Sequence, residues 1–196
     1  MSAASSMPTE RAIRDEGDYA LMRHLLVEVV ERMGLPVYLT VGDLDWSRDV
    51  DDDDNVFRQT RLWFDGRRLA AFAWPEAGQV EIVVHPDLPA LLDAALDWSS
   101  DYYHATGNED SAARFMVPAF TRDAPRRATL AAHGFRPLDM GRVVYGRRIA
   151  APVAPPIPPP GYRLRHVADE SESAARAAVQ RAAFQSGFMT TARHRR

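Results

Sequence analysis

Three apolar runs joined by two very short turns constrain this chain more than any other feature. Arg61-Leu62-Trp63-Phe64 leads through Asp65-Gly66 into Arg67 to Trp74, and Pro75 to Gly78 leads into Gln79 to Val84. Asp-Gly between apolar runs is the strongest short hairpin signal, because both centres of the tight turn need a positive φ. Both connections are too short for a crossover helix, so three antiparallel strands arrive in a row. The third is β-branched through its middle and closes on Val84-His85-Pro86-Asp87. From Leu91 the spacing becomes helical, with Leu91, Leu92, Ala95, Leu96 and Tyr103 on or near one face.

The strand-to-helix join, Pro86-Asp87-Leu88-Pro89-Ala90, is where chemistry would be sought. A helix N-terminus offers free N–H groups and partial positive charge, and commonly holds a phosphate. This join has no glycine, arginine or lysine. Pro89 has no N–H to give. Asp87 would repel a phosphate, although it suits the start of a helix as a cap.

Around this centre the chain falls into four stretches. Residues 1–10 read as a disordered leader and 11–150 as one domain. Residues 151–160, with prolines at 152, 155, 156, 158, 159 and 160, read as an extended spacer of roughly 30 Å. Residues 161–196 read as the incomplete start of a second domain, since so short a piece rarely folds alone. Tyr19, Met22, Leu25, Leu26, Val29, Val30 and Met33 predict an amphipathic helix ended by Gly34. Val37 to Val56 is less defined. Its Asp51–Asp54 run reads as a solvated loop rather than a calcium site, and Trp46 as a core or lid residue. Ala113 to Ala119 predicts a buried strand. Asp123 with Pro125 predicts the start of a short helix closed by Gly134. Phe135 to Ile149 predicts a last strand or hairpin centred on Val143-Val144-Tyr145. In the final stretch Gly161 to Val167 predicts a strand, and a helix runs from Ala168-Asp169-Glu170-Ser171 to Phe184.

Composition excludes several classes. A net charge of -3 and a pI of about 6.1, without a basic stripe, argue against nucleic acid as partner. The absence of cysteine removes disulfides, thiolate nucleophiles and thiolate metal sites, and fits a reducing compartment. The first residues lack the apolar stretch of a signal peptide. No apolar run approaches the roughly 20 residues of a membrane span. A cytoplasmic protein without membrane contact is the expectation. The six histidines (24, 85, 104, 133, 166, 194) show no metal spacing. His24 and His85 read as helix-surface and turn residues, and Arg126-Arg127 as a solvated helix face rather than an anion contact.

The order helix, loop, three antiparallel strands, helix, strand, helix, strand resembles the GNAT N-acetyltransferase superfamily. Arg61 to Gly66 with Leu69 to Pro75 is similar to its central hairpin. Val80 to Pro86 is similar to its fourth strand, and His133-Gly134-Phe135 to the Gly-Phe after its fourth helix. The Pro-rich spacer followed by Gly-Tyr-Arg-Leu-Arg resembles the junction of tandem two-domain members, of which mycothiol synthase is a type. The resemblance implies an α/β (α+β) fold with a mixed, mostly antiparallel central sheet flanked by helices, plus a strand-helix stub. It also implies acetyl transfer from acetyl-CoA to a small-molecule amine. The coenzyme would pair with the backbone of Ile82, Val83 and Val84, and Glu81 would be the general base. The competing reading of Glu81 is a solvent-facing residue, on one face with Gln79 and Val83.

This chain departs from the resemblance at the join, where the glycine-rich loop that wraps the coenzyme pyrophosphate is missing. Leu130 stands where many members have a general-acid Tyr. Two readings therefore stay open: an acetyl-CoA-dependent acetyltransferase, or a catalytically inactive GNAT-fold half of a tandem protein, cut off early in its partner domain. Chemistry favours the second. A homo-oligomer formed through the stub from Gly161 is a further expectation. Gel filtration of the full chain beside a version ending at Ala151 tests it.

Overall fold

The computed structural model describes residues 8–34, 36–50, 58–76, 78–106, 115–139, 141, 143, 145, 148 and 150–185. The chain divides into two compact units, Met1–Leu138 and Asp139–Arg196. The first contains β1 (Thr9–Ala12), α1 (Glu16–Met33), α2 (Val41–Val50), β2 (Arg61–Asp65), β3 (Arg68–Glu76), β4 (Gln79–Val84), α3 (Leu91–Thr106) and α4 (Ala124–Ala132). The strands lie in the order β1-β2-β3-β4, each antiparallel to the next. The fold is α+β, a four-stranded antiparallel sheet flanked by helices, as the three apolar runs require.

Strand alternation sorts the core into two faces. Leu62, Phe64, Phe72, Trp74 and Val83 pack with Tyr19, Met22, Leu25, Leu26 and Val29 of α1 and with Leu44 of α2. Trp63, Ala71, Ala73, Val80 and Ile82 pack on the other side with Leu91, Leu92, Ala95, Leu96 and Tyr103 of α3 and Leu130 of α4. The hairpin turns at Gly66, whose φ of 61° only glycine adopts without strain. The β2–β3 register slips by one between Trp63 and Phe64, and Ala70 is the residue left over. Its carbonyl accepts the His85 N–H at 2.7 Å.

That bond sets the phase of the β3–β4 ladder. Phe72↔Val83 and Trp74↔Glu81 are then the pairs that exchange hydrogen bonds. Val80, Ile82 and Val84 turn their N–H and C=O groups to the outer edge. The Val80 N–H accordingly meets the Met116 carbonyl at 2.9 Å, and the Met116 N–H meets the Gly78 carbonyl at 2.9 Å. The strand expected at 113–119 is reduced to this one parallel bridge, Gln79↔Met116. Pro118 has no N–H to continue it. Residues 113 and 114 lie outside the described residues.

Three further differences have local causes. First, Thr9 and Glu10, assigned to the leader, belong to β1, and residues 1–7 lie outside the described residues. β1 is polar, so no apolar alternation announces it. Second, Val41–Val50 is a helix where a loop was expected. Thr40 and Asp43 form a reciprocal cap: the Thr40 N–H reaches Asp43 Oδ2 at 3.0 Å and the Asp43 N–H reaches Thr40 Oγ1 at 3.2 Å. The acidic run 51–54 lies outside the described residues. Third, Trp46 is 54% exposed on α2 and is not a core residue; Leu44 fills that role at 1%.

The second unit keeps the expected helix and not the strand expected over 161–167. A short 3-10 turn, Glu170–Glu172, leads into α5 (Ser173–Phe184). Asp169 Oδ1 accepts the Ser171 N–H at 2.8 Å, and Glu172 pairs with Arg165. No strand forms over 161–167, where Tyr162 and Leu164 stand exposed. The centre of the strand or hairpin expected over 135–149 falls largely on residues 140, 142, 144, 146, 147 and 149, which lie outside the described residues. A strand gains its hydrogen bonds only from a ladder neighbour, and 161–167 has none among the described residues. Residues 151–160 carry neither helix nor strand. No helix among the described residues is long and apolar enough to cross a membrane.

Candidate functional site

Beyond the Met116 bridge, the side chain of Arg126 joins the outer edge of β4 to the segment from Phe115 to Phe120. Asp123 caps α4 by accepting the Arg126 N–H on Oδ1 at 3.1 Å, and Pro125 sits in the first turn. That start puts Arg126 one turn before Leu130 on the same face, and both are buried. The guanidinium donates from both Nη atoms to the Ile82 carbonyl at 3.2 Å and from Nε to the Pro118 carbonyl at 3.0 Å. It lies over the Tyr38 ring, 4.1 Å from the centroid. Tyr38 stacks on Phe120 at 4.3 Å, donates its hydroxyl proton to Asp123 Oδ2 at 2.7 Å and accepts the Phe120 N–H at 3.0 Å. Arg126, Tyr38, Asp123 and Phe120 thus form a closed polar network on the sheet edge.

The charges in this network follow from burial. Arg126 is only 7% exposed, and burial lowers its pKa, while Tyr38, Asp123 and Glu81 draw it back up. Burial first, and the bond to Asp123 next, push the Tyr38 hydroxyl up to about 12. It is a structural hydroxyl at neutral pH. Tyr38→Phe removes the hydrogen bond to Asp123 and leaves the Phe120 N–H without this acceptor, and is expected to cost about 2–3 kcal/mol in urea unfolding.

The residues singled out in the sequence stand as follows. Glu81 is 9% exposed, opposite Trp74, and accepts a hydrogen bond from Gln79 Nε2. The shared face of Gln79 and Glu81 is as alternation gives it; exposure to solvent is not. The Ile82 carbonyl is taken by Arg126. Val83 turns its backbone toward Phe72 of β3, and its side chain is core. Val84 turns its backbone outward. Arg126 was read as part of a solvated helix face and is instead the centre of the network. The available signal was its spacing of four from the apolar Leu130. Arg127 alone keeps the exposed position, donating to the Thr121 carbonyl at 3.1 Å.

At the end of β4 the join is a compact turn. The Leu88 N–H meets the His85 carbonyl at 2.9 Å, the Leu91 N–H the Leu88 carbonyl at 3.0 Å, and the Leu92 N–H the Pro89 carbonyl at 3.1 Å. The first two amides of α3, at Leu91 and Leu92, are thus satisfied inside the turn. Asp87 does not cap α3. Its carboxylate takes Arg32 of α1 at 2.7 and 2.8 Å, and that pairing first of all holds its pKa below the usual carboxylate value. His85 starts this turn, as expected, and is buried there: it is 1% exposed, between Arg68 and the Asp87 N–H. A coenzyme pyrophosphate needs free amides or unpaired cations here. The turn provides spent amides and an aspartate, so these residues do not fit that group. Among the described residues no cluster of His, Asp and Glu could hold a metal ion.

No protein-family model matches the chain, and no curated protein matches it. Among solved structures it is similar to an aminoglycoside acetyltransferase from an uncultured soil metagenomic sample, in complex with sisomicin. The identity is 13%, over 74% of this chain and 95% of that chain, with a TM-score of 0.41.

Proposed function

We propose that this chain is a GNAT-like scaffold domain of a cytoplasmic tandem protein, and that it does not itself transfer acetyl groups. The observation that carries the reading is Arg126. Its guanidinium occupies the outer edge of β4 at Ile82, the backbone position that a pantetheine arm would pair with in the family the sequence resembles. The turn at 85–92 supports the same reading, since the Leu88, Leu91 and Leu92 amides already have acceptors and are spent for charge-assisted bonds worth roughly 1.5–3 kcal/mol each. Calorimetric titration of the purified chain with acetyl-CoA, and separately with coenzyme A, tests it. No heat up to millimolar ligand is expected. Micromolar binding of either would overturn the scaffold reading.

The second reading, acetyl-CoA-dependent transfer to a small amine, is favoured by one observation: the buried Glu81 carboxylate lies on β4 next to Ile82. A carboxylate there suits proton removal from an amine. A coupled assay for free thiol across a panel of amines separates the two. Turnover that disappears in Glu81→Gln supports the enzyme, and no turnover with any amine supports the scaffold.

A further inference from the structure

The ring of His85 faces hydrogen-bond donors on both sides. Nε2 is 2.7 Å from an Arg68 Nη, and Nδ1 is 3.1 Å from the Asp87 N–H. A guanidinium and a backbone amide can only donate. A neutral imidazole has one lone pair in its plane for the two of them, and a doubly protonated ring has none. The charges around it come from every element packed there. Arg68 lies on β3, Glu28 and Arg32 on α1, and Asp87 in the turn. Arg68 also donates to Glu28 at 3.0 Å, Glu28 lies 3.5 Å from His24, and Asp87 Oδ2 is 3.7 Å from Nδ1.

We infer that His85 is a pH-sensitive latch: as a neutral ring it clamps the turn between β4 and α3 to β3, and a second ring proton releases that turn and frees Arg68. The new proton removes the acceptor that Arg68 uses, and two like charges then face each other. Arg68 is left with Glu28 and solvent. With the lone pair on Nε2 serving Arg68, Nδ1 already carries its proton in the neutral ring, and the added charge acts on that side by drawing the Asp87 carboxylate, whose Oδ2 lies 3.7 Å from Nδ1. The Leu88 N–H bond to the His85 carbonyl lies inside the same turn and is disturbed with it.

The sign follows from linkage. Burial first, and Arg68 next, hold the His85 pKa below the ordinary 6.5. A depressed folded-state pKa contributes stability that is present above about 6.5 and lost as pH falls through the folded value.

An NMR titration of the full chain from about pH 8 to about pH 5 reads the latch directly, with amide exchange corrected for intrinsic rates. Between about 6.5 and the lower folded value of His85 the protection of Leu88 is expected to fall by up to about tenfold per pH unit and then to level off, while Leu25 and Leu96 stay protected. His85→Gln, which accepts without titrating, is expected to abolish that loss. Arg68→Gln is expected to raise the midpoint of the ring toward 6.5, and His24→Gln to leave it unchanged. Protection of the turn that persists at about pH 5, a loss shared equally by the core amides, or a step that survives in His85→Gln would each overturn the latch.

Discussion

Arg126→Ala is expected to lower the melting temperature by about 10 °C, and Arg127→Ala to leave it almost unchanged. The difference comes from what each guanidinium touches. Removing Arg126 orphans the Ile82 and Pro118 carbonyls. A buried acceptor left without a donor costs about 1–3 kcal/mol. The Tyr38 face also loses its cation, worth about 1 kcal/mol in a buried setting. A combined loss of about 3 kcal/mol moves the melting point by roughly 3 °C per kcal/mol for a chain of this length. Arg126→Lys is expected to rescue little, because one ammonium cannot reproduce the planar fork that spans both carbonyls. Calorimetry of the three variants checks the series; melting of Arg126→Ala within about one degree of the parent would remove the network from the account. The same variant probes the scaffold reading, since it uncovers the outer edge of β4. A gain of acetyl-CoA binding in Arg126→Ala would identify the guanidinium as the plug.

What the sequence made legible was whatever repeats along the chain. Asp65-Gly66 between apolar runs announced the hairpin, although its two turn residues are Gly66 and Arg67 and Asp65 pairs with Arg68 in the ladder. The 3-4 spacing of α1 and α3 fixed which faces meet the sheet. Capping chemistry placed the start of α4 at Asp123 and Pro125. What was not legible depends on which groups meet across the fold. Arg126 and His85 are polar residues at core positions, and periodicity gives no account of the donors and acceptors that make burial tolerable. α2 was hidden because Gly42 and its acidic residues depress helix propensity, while the Thr40–Asp43 cap and the tie of Tyr19 to Asp45 offset this. The strand expected over 161–167 has the right residues and lacks a ladder neighbour among the described residues. β propensity alone does not supply one.

β1 shows the reverse case, a strand with almost no apolar content, and its stability rests on one carboxylate. Asp18 is 6% exposed in the first turn of α1. Its oxygens receive Arg11 Nη1 at 2.5 Å and Nη2 at 2.6 Å, and the Arg14 N–H at 2.8 Å. Thr9 to Ala12 bury little, so the ladder to β2, Ile13 behind it and this bidentate pair hold the edge strand in place. Asp18→Asn keeps the shape and removes the charge. A loss of about 2–3 kcal/mol at neutral pH is expected, the scale of charge-assisted bonds to a poorly solvated carboxylate. The pH dependence separates charge from shape. The Arg11 hydrogen bonds, foremost, and the Arg14 N–H hold the Asp18 pKa below its ordinary 3.8, against the opposing effect of burial. Its contribution is therefore complete above about 3.8 and drains away as pH falls through the lower folded value. Urea midpoints of parent and Asp18→Asn are expected to differ clearly at neutral pH and to converge toward about pH 3. A gap that stays constant with pH would mean that the shape of the aspartate, and not its charge, anchors the strand. A gap below about 0.5 kcal/mol at neutral pH would mean that β1 is held by its ladder alone.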